Sequence, residues 1–185
     1  MIIIGITGTL GAGKGTIVDH LVEKRGFVHL SVREFITKEI IRRGLPVNRD
    51  SMVVVANSLR AAHSPSYIID RLYDRALESS CNCVLESIRT PGEIDSLKSK
   101  GRFVLIAVDA RPEIRYERIV LRNSETDRIS FDTFIENEER EMDSKDPSKQ
   151  NIRHCINMAD YRLLNNTSKE DLIIQVEEII KKILD

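Results

Sequence analysis

The first sixteen residues constrain the fold of this chain more than any other stretch. Met1-Ile-Ile-Ile-Gly-Ile-Thr7 is an apolar, β-branched run of strand length, and Gly8-Thr-Leu-Gly-Ala-Gly-Lys-Gly-Thr16 follows it directly. The next apolar residues, Ile17, Val18, Leu21 and Val22, repeat at helical spacing. A strand that runs through a glycine-rich turn into a helix is the setting of a phosphate-binding loop. Glycines let backbone N–H groups point inward around oxyanions, and the helix N-terminus adds the positive end of its dipole. Gly8, Gly11, Ala12, Gly13, Lys14, Gly15 and Thr16 are therefore the candidate nucleotide-binding residues, with Lys14 placed to reach the β- and γ-phosphates. The hydroxyl expected directly after the lysine is displaced by one position, since Gly15 stands there and Thr16 follows. An ordinary tight βα turn would leave three glycines and a lysine at this spacing without a reason.

The rest of the pattern alternates strand and helix. Phe27–Leu30, Asn82–Glu86, Arg102–Asp109 and Ala159–Leu164 read as further strands, and continuous apolar strands between helices indicate a parallel sheet covered on both faces. Gly26 closes the first helix. Ser31 and Glu34 read as a capping box for a helix carrying Phe35, Ile36, Ile40 and Ile41, which Gly44 ends. Asn48 caps a helix with Met52, Val55, Ala56 and Leu59 on one face, whose phase outweighs the strand propensity of Val53-Val-Val55. Ser64 with Pro65 at N1 predicts the next helix, its apolar face being Ile68, Ile69, Leu72, Tyr73 and Ala76. Thr90-Pro-Gly-Glu93 is a second capping box. A helix from Arg111 presents Ile114, Arg118 and Leu121, and the last helix, from Ser168, presents Leu172, Ile173, Val176, Ile179, Ile180 and Ile183. Residues 123–149 carry nine acids against four bases and read as a solvated excursion suited to a mobile lid.

At 185 residues, with 28 basic and 29 acidic side chains and a net charge of −1, the chain fits one domain spanning 1–185. The balance gives no global basic excess for a nucleic-acid or membrane partner. No apolar stretch is long enough to span a bilayer and the N-terminus has no charged leader region, so the expected location is the cytoplasm. Cys81, Cys83 and Cys155 make no metal pattern and read as reduced packing residues; His20, His29, His63 and His154 are scattered.

Beyond the loop, several segments resemble the adenylate kinases. Lys14-Gly-Thr16 is the usual continuation of the phosphate loop in that family. His29-Leu-Ser-Val-Arg-Glu34 resembles the segment that opens its nucleoside-monophosphate site. Leu85-Glu-Ser-Ile-Arg89 resembles its hydrophobic-Asp-Gly-Phe-Pro-Arg strand end, whose arginine binds the acceptor phosphate. Arg118-Ile-Val-Leu-Arg122 is similar to the arginine pair that holds ATP at the lid hinge. Asn57-Ser-Leu-Arg60, Glu86–Glu93 and Ala159-Asp-Tyr161 carry a closer likeness to small adenylate-kinase-related and dephospho-CoA-kinase-like P-loop proteins, and to the kinase-like module of some deoxycytidylate deaminases. The chain departs from the adenylate-kinase pattern at Glu86-Ser87, in place of Asp-Gly, and at Arg33-Glu34, in place of Gly-Asp.

The resemblance implies a three-layer P-loop sandwich with a five-stranded parallel sheet in the order 2-3-1-4-5. It also implies an acceptor-binding helical insertion over about 31–80 and a small lid over about 123–149. It implies ATP and Mg²⁺ as co-reactants and nucleotides as partners, with the protein a monomer or homodimer. Phosphoryl transfer needs alignment and positive charge around spread negative charge, and arginine offers bidentate donors to phosphate. Lys14, Arg89, Arg118 and Arg122 are the candidate catalytic residues, Arg118 and Arg122 on the ATP side. Ser31, Arg33, Glu34, Arg60 and Arg89 form the candidate acceptor side, and Thr16 with Glu86 the Mg²⁺ side, Glu86 through water. The expected reaction is transfer from Mg-ATP to a nucleoside or deoxynucleoside monophosphate. Dephospho-CoA phosphorylation, with Glu34 as base, and a non-catalytic nucleotide-binding regulatory module are the alternatives.

Overall fold

A computed structural model describes residues 1–122 and 129–184. Its sheet has five parallel strands in the order β2-β3-β1-β4-β5, the order that the resemblance implied. The strands are β1 (Ile3–Gly8), β2 (Val28–Leu30), β3 (Cys83–Glu86), β4 (Phe103–Asp109) and β5 (Tyr161–Leu164). β1 is central, with Ile3 opposite Cys83 on one side and Phe103 on the other. Strand alternation then sends its side chains to two separate cores.

Ile4 and Ile6 pack with Val84, Ile106 and Val108 against Ile17 and Leu21 of α1 (Lys14–Arg25) and Leu172, Val176 and Ile180 of α9 (Lys169–Leu184). On the other face, Ile3, Leu85 and Leu105 pack against α2 (Val32–Arg42), α3 (Arg49–Ala62), α4 (Tyr67–Ser79) and α5 (Pro91–Lys100). Full burial of each such aliphatic side chain stabilises the fold by about 1.5–3 kcal/mol. Both faces of the sheet are thereby covered, and the carboxyl ends of the strands remain the natural place for a ligand.

Local chemistry explains the helix boundaries. Asn48 Oδ1 accepts from the Ser51 amide at 2.9 Å, and Thr90 and Glu93 form a complete capping box. Gly26 takes the left-handed conformation that ends α1, as expected. In α3 the valine run obeys helical phase: Val55 and Ala56 are buried while Val54 is 61% exposed.

Other boundaries differ from the sequence reading. α4 starts at Tyr67 with Ser66 as N-cap, because Tyr67 N–H closes a turn on the Ser64 carbonyl and the Asp70 amide makes the first helical bond to Ser66. Ser31 caps α2 by accepting from the Glu34 amide, but the Glu34 carboxylate pairs with Lys38, so that box is half formed. Val22 and Cys81 are exposed where packing positions were expected. α6 (Pro112–Arg122) turns Arg115 and Ile119 inward and leaves Leu121 84% exposed, a rotation of the expected face.

The acid-rich segment is corrected most. Residues 123–128 lie outside the described residues, but 131–142 form a docked helix, α7 (Phe131–Met142), instead of a solvated excursion. Ser130 caps it, and Phe134 is buried against the Tyr116 and Phe131 rings. Glu138 and Glu141 face inward onto arginines. α8 (Ile152–Asn157), capped by Asn151, buries Ile152 and Cys155 before β5.

Candidate active site

The phosphate loop is built by close approach of its backbone to other elements. Gly8 has φ +135°, and a Cβ there would lie 1.9 Å from the Val108 carbonyl oxygen. Gly13 has φ +108°, and a Cβ would lie 2.4 Å from Asn165 Nδ2. Neither position accommodates another residue. Three contacts hold the loop from outside. Thr9 donates to Asp109 at the end of β4, Arg115 Nη1 donates to the Leu10 carbonyl at 3.3 Å, and Asn165 Nδ2 donates to the Ala12 carbonyl at 2.9 Å. Arg115 is itself buried and donates to the Ala110 carbonyl and to Glu138 of α7, so it joins the loop to the segment beyond α6.

Lys14 Nζ donates to the carbonyls of Gly8 (2.9 Å) and Thr9 (2.7 Å). Burial, followed by the nearby charge of Arg89, lowers its pKa from 10.5 to about 7, with Glu86 and Glu141 opposing the shift. An ammonium so destabilised gains from any anion brought beside it. Backbone amides at a helix start, a lysine short of negative charge and glycines too crowded for a Cβ are the donor set that fits a polyphosphate.

This loop forms one wall of a cleft of about 550 Å³. Lys14, Gly15 and Thr16 line it beside Glu86, Ser87 and Arg89 from the end of β3, and beside Arg118 and Arg122 of α6. Val32, Arg33 and Ile36 of α2 and Met52, Val53 and Ala56 of α3 also line it. Gly8, Gly11, Ala12 and Gly13 belong to the loop as read, and Gly11 and Gly13 also line the cleft.

Glu86 is fixed by neighbours: Ser31 Oγ donates to Oε1 at 3.4 Å, Ser87 Oγ donates to Oε2 at 3.2 Å, and His29 Nε2 stands 3.9 Å away. Ser87 has φ +62°, the left-handed region that the glycine of the resembled Asp-Gly pair enters without strain. No group of three His, Cys, Asp or Glu side chains among the described residues is arranged to hold a metal. Thr16 and Glu86 remain the groups that could meet a Mg²⁺ carrying nucleotide and water oxygens as its other ligands.

The arginines differ in setting. Arg89 Nη1 donates to Glu141 at 2.7 Å and to Gln150 Oε1 at 2.5 Å. Arg60, a candidate acceptor contact by sequence, has a side chain only 1% exposed that pairs with the equally buried Glu93 at 2.7 Å. Its Nη1 has no hydrogen-bond partner among the described residues, although the residue lines the cleft. Arg118 donates to Asn165 Oδ1 (3.3 Å) and the Thr167 carbonyl (3.4 Å), and burial lowers its pKa. Glu34 is not brought to the cleft: it projects outward with 61% of its side chain exposed, paired to Lys38.

Sequence reasoning missed Arg49, Arg115, Glu141, Gln150 and Asn165. For Arg115 a signal existed, because it shares the inward phase of Ile119 and a charged residue in that phase needs buried partners.

Residues 4–143 match the sequence profile described as the AAA domain. A UPF0200 protein of Methanococcus maripaludis is 30% identical over 188 residues, spanning all of this chain and 99% of its own length. The chain belongs to the AAA domain family and to the UPF0200 group. A UPF0200 protein of Thermococcus gammatolerans is 28% identical over 190 residues, covering all of this chain and 96% of that one. Among solved structures, a gluconokinase from Sinorhizobium meliloti superposes with a TM-score of 0.61 at 12% identity, covering 98% of this chain and 93% of that one. A shikimate kinase from Aquifex aeolicus gives 0.54 at 15% identity, with 98% and 96% covered. At such identities the likeness is one of fold, a P-loop kinase fold. The described residues contain no helix long and apolar enough to cross a membrane.

Proposed function

We propose that this protein transfers the γ-phosphoryl group of Mg-ATP to a nucleoside or deoxynucleoside monophosphate. The observation that carries the reading is that one cleft of about 550 Å³ is lined both by the phosphate loop and by apolar side chains of α2 and α3. Ile36, Met52, Val53 and Ala56 supply the apolar lining, and Arg33, Arg49 and Arg89 line the same cleft. A flat base suits such a lining better than a polyol does, because a polyol would leave its hydroxyls without partners there. Gly11 to Thr16 and Lys14 would hold the ATP phosphates, Arg118 and Arg122 the nucleotide on the α6 side, and Thr16 with Glu86 the Mg²⁺. The metal supplies neutralisation of phosphate charge. Arg89, Arg33 and Ser31 belong to the acceptor side, and Arg60 stands behind Arg89 through Glu93. No base is required, because a phosphate monoester with a second pKa of about 6 is already a dianion at neutral pH.

Phosphorylation of a hydroxyl, as in the dephospho-CoA alternative, would need a base in the cleft. Glu34 does not occupy that place; the carboxylates lining the cleft are Glu86, held by Ser31 and Ser87, and Glu141, held by Arg49 and Arg89. An ATP-coupled ADP-release assay with the common ribo- and deoxynucleoside monophosphates, dephospho-CoA, shikimate and gluconate tests the proposal. ADP release stimulated by a monophosphate is expected. Stimulation by a hydroxyl acceptor alone, or ATP binding with no stimulation, would overturn it, the latter in favour of a regulatory module.

A further inference from the structure

We propose that Glu141 occupies the seat of the acceptor's oxyanion, made by Arg49 and Arg89, and that the acceptor phosphate enters by displacing it. The inference rests on the acceptor reading of Arg89 given above. Arg49 Nη2 donates to Glu141 Oε1 at 2.6 Å, and Arg89 Nη1 donates to Oε2 at 2.7 Å. The two guanidinium groups come from different elements, the first turn of α3 and the loop after β3, and converge on one carboxylate supplied by α7. All three side chains line the cleft beside the phosphate loop. Two arginines on the two oxygens of one carboxylate is also the arrangement that holds a phosphate.

A second observation concerns a donor in the lining of the same cleft. Arg60 lines this cleft, is buried, and has Nη1 without a partner among the described residues. Glu141 satisfies Arg49 and Arg89 but leaves that buried cationic donor unpaired. A phosphate offers one more acceptor oxygen than a carboxylate, and Arg60 Nη1 is a donor in the lining of the same cleft for which such an oxygen would be a partner. An unpaired buried donor is costly, and pairing it adds to the affinity of the ligand that does so.

Glu141 is anionic in this state. Burial alone would raise its pKa, but the charges and hydrogen bonds of Arg89 and Arg49 outweigh burial and hold it below the ordinary carboxylate range. The seat therefore binds an anion at all times, first one from the chain and then the substrate's. Glu138, one helical turn earlier, pairs with Arg115, which donates to the phosphate loop at Leu10. Eviction of Glu141 would thus loosen α7 on the acceptor side while Glu138 keeps its hold beside the ATP loop.

The test uses the full chain with the phosphate loop saturated by a non-hydrolysable Mg-ATP analogue, and inorganic phosphate as the probe, titrated calorimetrically. Glu141→Gln should bind phosphate at least about ten-fold more tightly than wild type, as expected when a competing charge-assisted contact is removed. Adding Arg49→Ala to Glu141→Gln should abolish the gain. In wild type, phosphate should increase amide hydrogen exchange across residues 131–142, a readout that does not depend on how a variant folds. Unchanged or weaker phosphate binding by Glu141→Gln, or α7 exchange indifferent to phosphate, would overturn the proposal. Failure of the nucleotide reading would look different: no monophosphate would be turned over by wild type or by Glu141→Gln, while the phosphate gain persisted.

Discussion

Arg60 and Glu93 form the most deeply buried ion pair at the site, each side chain 1% exposed and 2.7 Å apart. Glu93 also accepts from the backbone amides of Arg89 (2.7 Å) and Thr90 (3.1 Å), so one carboxylate joins α3 to the loop that carries Arg89. Arg60→Met keeps the bulk of the stem but leaves Glu93 buried with two amide donors and no counter-charge. Breaking a buried pair on one side costs about 3–5 kcal/mol, mostly the penalty of the stranded charge. That is a large part of the 5–15 kcal/mol that stabilises a typical domain. Glu93→Gln in the Arg60→Met background removes the stranded charge and should recover part of the loss. The double variant should be more stable than the two single losses added together predict, by about 1.5 kcal/mol or more. Urea unfolding followed by circular dichroism measures all four proteins, with m compared to verify that the transition remains the same. A loss below about 1 kcal/mol for Arg60→Met, or strict additivity in the double variant, would refute the placement of this pair as a buried clamp.

Further outcomes follow from the same geometry. Lys14, with a pKa of about 7 in the free protein, is mostly neutral at pH 8 and regains its charge beside phosphate, so ATP binding should take up close to one proton per site at pH 8 and few at pH 6. Calorimetry in two buffers of different ionisation enthalpy reads this uptake, and Lys14→Met should eliminate it; buffer-independent heats at pH 8 would contradict the assignment. Arg89→Ala should raise the acceptor KM by about ten- to a hundred-fold with little change in ATP affinity, whereas Arg122→Ala should weaken ATP binding or lower kcat; the reverse pattern would exchange their sides. Asn48→Ala removes the cap of α3 and should cost about 0.5–2 kcal/mol in urea unfolding, unlike Val54→Ala on the exposed face, which should stay within about 0.5 kcal/mol.

Much of the fold was legible because its signals are local. The Met1–Thr16 run announces a strand, a loop and a helix within one stretch of chain, and the caps at Asn48 and Thr90–Glu93 depend on residues three positions apart. The sheet order came through the resemblance. α7 was hidden because its helix-forming acids look solvent-facing, and only contacts across the fold, with Arg49, Arg89 and Arg115, turn them inward. The same cause hid the setting of Arg60: an arginine beside Leu59 on a helix reads as exposed until Glu93 of α5 is brought against it across the fold. Glu34 failed in the opposite direction. Its place in a resembled segment suggested the acceptor site, yet Lys38, one helical turn along α2, lies within direct ion-pair reach and holds it outside.

The most direct measurement of the central claim is the fate of labelled phosphorus. Wild-type protein is incubated with Mg²⁺, ATP labelled at the γ position and each nucleoside monophosphate in turn, and the products are separated by chromatography. Label is expected in a nucleoside diphosphate for at least one monophosphate, and none with Lys14→Ala at an equal concentration of folded protein. Label that appears only as inorganic phosphate, at a rate no monophosphate alters, would contradict the claim.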